Sequence, residues 1–92
     1  MTGDLERIAG EGESRIRGAR DLEELRAIEA DLLGKRSELS AIKQKLGSLA
    51  PDERREVGRA VNEARTRLDG ALAARFVAHF GQIVEDVRRL VL

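Results

Sequence analysis

The chain has 92 residues, 37% of them charged and 41% hydrophobic, with two aromatics (Phe76 and Phe80), no cysteine and a formal net charge of zero. That size fits one small domain or a piece of a larger protein, and the lack of cysteine excludes disulfides and thiolate zinc sites. So little aromatic bulk favours long helices packed along narrow seams over a broad globular core.

In chain order, Leu5, Ile8, Ile16 and Ala19 stand at approximate helical spacing, with Gly10, Gly12 and Gly18 weakening the segment by about 1 kcal/mol each, so a frayed helix over about 3–17 is expected. A second helix, about 21–33, opens at Asp21, with Glu24 three residues on as a capping-box-like partner and Leu22, Leu25, Ile28 and Leu32 as one stripe. Gly34 is the residue type that adopts the left-handed end of a helix, so Gly34-Lys35-Arg36-Ser37 reads as a short connection. A third helix, about 37–46, turns Leu39, Ile42 and Leu46 inward and leaves Lys43, Gln44 and Lys45 pointing elsewhere. Gly47 closes it. Pro51, followed by Asp52 and Glu53, opens the fourth helix. In that helix Val57, Val61, Ala64, Leu68, Leu72, Phe76, Phe80, Ile83, Val87 and Leu90 step by threes and fours.

The expected fold is all-α: an antiparallel helical hairpin or coiled coil, with one long C-terminal helix (about 51–90) packed against the shorter upstream helices. Residues 1–92 then form a single helical arm. A helix of about 40 residues spans about 60 Å and cannot bury its seam alone, so the upstream helices fold back along it.

The zero net charge hides a split. Residues 1–33 carry five Arg against nine acids, whereas residues 34–67 carry nine Lys or Arg against five acids. Two readings stay open: an acidic helix lying beside a basic one, or an anion-binding segment. On a helical wheel of 100° per residue, Arg55, Arg59 and Arg67 fall opposite the apolar stripe. Lys35 and Arg36 belong to the connection, and Lys43 and Lys45 to the outer side of the third helix. Basic side chains so placed meet phosphates without reading bases. No aromatic residue stands among them to stack on unpaired bases, so a folded RNA fits better than a single strand. Enzymatic chemistry is not legible. The one histidine, His79, reads as an ordinary surface or seam-edge residue, no EF-hand or HExxH spacing occurs, and Gly34-Lys35-Arg36 lacks the P-loop glycine and hydroxyl.

Several blocks then point to one family. Leu33-Gly34-Lys35-Arg36-Ser37-Glu38-Leu39-Ser40, Leu46-Gly47-Ser48-Leu49, Pro51-Asp52-Glu53-Arg54 and Gly58-Arg59-Ala60-Val61-Asn62-Glu63-Ala64-Arg65 follow one another in order. With Ala19 and Asp21-Leu22-Glu23-Glu24-Leu25 upstream, they resemble the N-terminal domain of the bacterial phenylalanyl-tRNA synthetase α subunit over about residues 19–75. The resemblance implies a coiled-coil arm that binds tRNA(Phe) along its outer side and supports aminoacylation performed elsewhere. The implied partners are the remainder of the α subunit and the β subunit. ATP and Mg²⁺ are expected only for the catalytic domain, and no cofactor for the arm.

Position by position, Lys35, Arg36, Lys43, Arg54 and Arg65 match the family's basic positions, while Lys45, Arg55 and Arg59 are added from the wheel. Asn62 matches the family's asparagine, with hydrogen bonding inside the hairpin as its expected role. Ser37 stands where a glycine is common, which leaves the connection more helical. The class II catalytic motifs are missing, so an excised or stand-alone arm unable to activate phenylalanine is expected, cytoplasmic and without a membrane span. The divergent tail, residues 76–92, ends in the apolar Val87-Arg88-Arg89-Leu90-Val91-Leu92, which is expected either to cover the free side of the hairpin or to mediate self-association. That makes a protein-interaction hairpin the alternative to an RNA-binding arm.

Overall fold

The computed structural model describes residues 2–91. Four α-helices run in order: α1 (Thr2–Gly18), α2 (Leu22–Leu33), α3 (Glu38–Lys45) and α4 (Pro51–Val91), with a 3₁₀ turn over Leu46–Ser48 before α4. The molecule measures 62 × 19 × 16 Å, so its length is that of the 41-residue α4. No strand occurs among the described residues.

Helix α1 is continuous rather than frayed, and one of its glycines explains why. Gly12 is buried, and a Cβ built on it would lie 2.6 Å from Leu68 Cδ2 and 3.2 Å from Leu32 Cδ1. The missing side chain lets α1 approach both α2 and α4 closely, and that packing offsets the glycine's weak helix propensity. Leu5, Ile8, Ala9 and Ile16 fill the rest of the face.

The direction of α1 differs from a simple hairpin. Its start, Thr2 to Glu6, lies beside residues 56–64 of α4, and its end, Ile16 and Arg17, lies beside Ala71 and Arg75. Helix α1 therefore runs parallel to α4, while α2 returns antiparallel and brings Leu33 beside Val61. The antiparallel arm is α2 with α3, and α1 is a third rod laid against the same seam. The common core is one cluster of Leu5, Ile8, Ile16, Leu25, Ile28, Leu32, Leu39, Ile42, Val57, Val61, Leu68 and Leu72 with their small neighbours.

The connections are set by hydrogen bonds. Asp21 caps α2, its carboxylate accepting from the Glu24 N–H at 2.7 Å. The capping box is only half made, because the Glu24 carboxylate turns to Arg20 at 3.5 Å. At the other end Gly34 is not left-handed; its φ is −73° and ψ 174°. Glycine is needed there for a different reason, since a Cβ would collide with the carbonyl oxygen of Ala30, which accepts the Gly34 N–H at 2.9 Å. Gly34→Ala should therefore destabilise the fold by about 1–3 kcal/mol. Gly70→Ala, in an open stretch of α4 with nothing near the added Cβ, should stabilise by about 0.5–1 kcal/mol. Urea denaturation followed by circular dichroism checks both, and equal effects would overturn the steric account.

Ser37 closes the connection. Its N–H donates to the Gly34 carbonyl at 3.1 Å, its hydroxyl donates to the same oxygen at 2.7 Å, and that hydroxyl accepts from the Ser40 N–H at 3.1 Å. The result is a tight turn with Lys35 and Arg36 at its tip and a buried serine capping α3, not a more helical connection.

Packing stops near Phe76. Arg75 donates to the Ala19 carbonyl at 2.5 Å, at the α1–α2 junction, and beyond it α4 has no helix beside it. Phe80, Ile83, Val87 and Leu90, which continue the stripe in sequence, are exposed.

Candidate nucleic-acid interface

The eight basic residues singled out by sequence divide into two neighbouring surfaces and one structural clamp. The first surface is a groove of about 150 Å³ between the α2–α3 turn and α4, where Lys35, Lys43 and Arg65 converge with Ser40 and Asn62. The tight turn projects Lys35, the last turn of α3 carries Lys43 to the same side, and α4 supplies Arg65 from opposite. Arg36 sits beside Lys35 at the exposed turn tip, and Lys45 is exposed at the end of α3. The second surface is the outer side of α4, where Arg55, Arg59, Asn62 and Thr66 follow one another at helical spacing. Asn62 borders both.

Arg54 has another task. Its guanidinium donates to the carbonyls of Leu46 (3.1 Å), Leu49 (3.2 Å) and Gly47 (3.4 Å). These are the carbonyls left without helical partners where α3 and the 3₁₀ turn end, so Arg54 ties that turn to the start of α4.

Asn62 also departs from expectation. Its side chain is exposed and makes no hydrogen bond among the described residues, because it stands on the outer side of α4, away from the seam. Arg67, placed outward by the wheel, instead faces α1. It donates to Glu13 through Nε at 2.7 Å and reaches Glu6 at 3.4 Å. The wheel has one buried side, whereas the real α4 is flanked by α1 on one edge of its seam and by α2–α3 on the other.

Electrostatically the molecule separates its cations. Arg7 pairs with Glu38 (2.6 Å) and Glu11 (3.4 Å), Arg15 with Asp31 (2.9 Å), and Arg67 with Glu6 and Glu13. The Glu38 hydrogen bond and charge hold the Arg7 guanidinium above its ordinary pKa. Only the Arg67 pairs follow the reading of an acidic helix beside a basic one; Arg7 and Arg15 belong to the acidic segment themselves. Lys35, Arg36, Lys43, Lys45, Arg55 and Arg59 are different: among the described residues none has a carboxylate within 4.0 Å. Arg65 has only Asp69, at 3.9 Å. Unpaired cations on exposed helical faces are the feature that contact with a phosphate backbone requires, and no aromatic residue lies among them.

The relatives identify this architecture. The sequence profile for the aminoacyl-tRNA synthetase class II N-terminal domain matches residues 20–79. The chain belongs to that family. It is 40% identical over 74 residues to the phenylalanine–tRNA ligase alpha subunit of Pelotomaculum thermopropionicum, covering 80% of this chain and 22% of the relative. The corresponding alpha subunit of Vibrio campbellii is 41% identical over 71 residues, which is 77% of this chain and 22% of that protein. That of Neisseria meningitidis serogroup A is 35% identical over the same coverage. The chain thus spans about a fifth of the length of these relatives. The family match takes in α2, α3, the turn and α4 up to His79, so it holds all eight basic positions. It stops where α4 loses its packing partners. No helix among the described residues is long and apolar enough to cross a membrane.

Proposed function

We propose that this chain is the tRNA-binding arm of a phenylalanine–tRNA ligase alpha chain, working in the cytoplasm beside the remainder of the alpha subunit and the beta subunit. It grips the outer side of tRNA(Phe) through the phosphate backbone, and aminoacylation is left to a separate catalytic domain that uses ATP and Mg²⁺. The observation that carries this reading is the sorting of cations. Arg7 and Arg15 of α1 and Arg20 before α2 are neutralised by carboxylates, whereas Lys35, Arg36, Lys43, Lys45, Arg55 and Arg59 are free and gathered on the basic ridge that the two neighbouring surfaces make together. Arg65 adds to that ridge across the groove. Arg54 supports it by holding the turn in place. The arm contributes positioning rather than chemistry, since a backbone-reading surface orients its ligand without specifying bases.

Titration of the chain with folded tRNA(Phe) between about 50 and 200 mM salt tests the proposal. Binding should weaken steeply, with a log–log slope of about −3 to −5 for four to six phosphate contacts. A salt-independent affinity, or no binding at the lowest salt, overturns it. Affinity of the arm alone should be modest, because tethering to the rest of a ligase adds effective concentration.

A further inference from the structure

The far end of α4 presents a surface that the RNA-binding reading does not use. Over residues 77–91, Val77 (72% exposed), Phe80 (69%), Val87 (52%) and Leu90 (87%) share one side with Ile83, Val84 and Val91. On the helical wheel these seven side chains occupy an arc of about 140°, and every charged residue of the segment lies outside it.

This side is not the bundle seam prolonged. From Ala64 the apolar residues run 64, 68, 72, 76, 80, four successive steps of four. Each such step overshoots a full turn by about 40°, so by Phe80 the apolar stripe stands roughly 160° around the helix from Ala64.

We infer that residues 77–91 of α4 are a self-association surface that pairs with the same segment of a second copy of this chain. Area favours this occupant. The seven side chains expose on the order of 700 Å² per copy, so a two-fold pairing buries about 1,400 Å², within the ~1,200–2,000 Å² of stable specific interfaces.

Charge narrows the choice further. Glu85 and Asp86 balance Arg88 and Arg89, and the segment contains no lysine. Arg88 pairs with Glu85 at 3.4 Å, and Gln82 donates to Asp86 at 3.3 Å, so both acids of the segment are engaged within the helix. An anionic membrane surface asks for a Lys- and Arg-rich polar face, and a nucleic acid asks for net positive charge; neither is present here. A like helix matches an uncharged apolar stripe and adds no unpaired charge. The β-branched residues Ile83, Val84 and Val87 suit such helix pairing. The inference does not depend on the tRNA reading, because its surface lies outside the basic ridge.

Sedimentation equilibrium on the full chain, from about 1 to about 300 µM, tests it. The apparent mass should rise with concentration from 10.2 kDa towards twice that value. Phe80→Glu with Val87→Glu should hold the mass at one chain across the range while far-ultraviolet circular dichroism keeps the helicity of the packed region. Gln82→Glu, on the polar side, should leave association intact. If the double variant loses helicity, Leu90→Glu in the last turn makes the same test with the core untouched. A monomer at all concentrations, association that survives Phe80→Glu with Val87→Glu or Leu90→Glu, or a monomer that instead cosediments with phospholipid vesicles overturns the inference.

Discussion

Lys35→Glu, Arg36→Glu and Lys43→Glu together should weaken binding of folded tRNA(Phe) by about a hundredfold at ~50 mM salt and flatten the salt slope by about 2 to 3. The three side chains sit at the tip of the α2–α3 turn and on the adjacent side of α3, free of carboxylates. Each contributes through released counterions, so their loss appears as slope as well as affinity. Stability should hardly change, since none is buried and none holds a backbone group. Arg54→Ala is the contrasting variant. Its guanidinium is committed to the carbonyls of Leu46, Gly47 and Leu49, so its removal should lower stability by about 1–3 kcal/mol and leave the salt slope within error. Fluorescence anisotropy across a salt series, paired with urea melts, separates the two. A triple variant that binds at the parental slope would show that RNA is held elsewhere. An Arg54→Ala variant that loses slope but not stability would return that residue to the binding surface.

The second large effect is on the fold. Leu68 is fully buried where α1, α2 and α4 meet, with its methyl groups in the space left by Gly12. Leu68→Ala removes the side chain that fills this three-way junction and should destabilise by about 3–4 kcal/mol. Against the ~5–14 kcal/mol available to a domain of this size, that is a large fraction. Phe80→Ala, although it removes more apolar surface, should change the stability of the dilute monomer by less than about 0.5 kcal/mol, because Phe80 touches solvent. Chemical denaturation at micromolar concentration measures both. Equal losses would mean that α4 is covered along its whole length.

These two residues mark how far the sequence could be read. Leu68 and Phe80 occupy one unbroken run of threes and fours, and periodicity alone treats them alike. What separates them is whether a second helix reaches that far, and the α1–α2 turn at residues 19–21 ends the cover. The same limit explains Arg67. A wheel supplies one inward side, and only the parallel placement of α1 turns Glu6 and Glu13 towards that arginine. It explains Gly34 as well: the residue type announced a helix end, but a close approach to Ala30, rather than a left-handed backbone, is what excludes a Cβ.

By itself the sequence determined the helical class, the four helices nearly to the residue, and the family, because caps, breakers and ordered motif blocks are local patterns that survive without coordinates. It also gathered the cations between residues 35 and 65. The tertiary structure alone decided which of them are free. Neutralisation depends on which carboxylate comes within about 4 Å, and that distance is set by how helices far apart in sequence lie against one another.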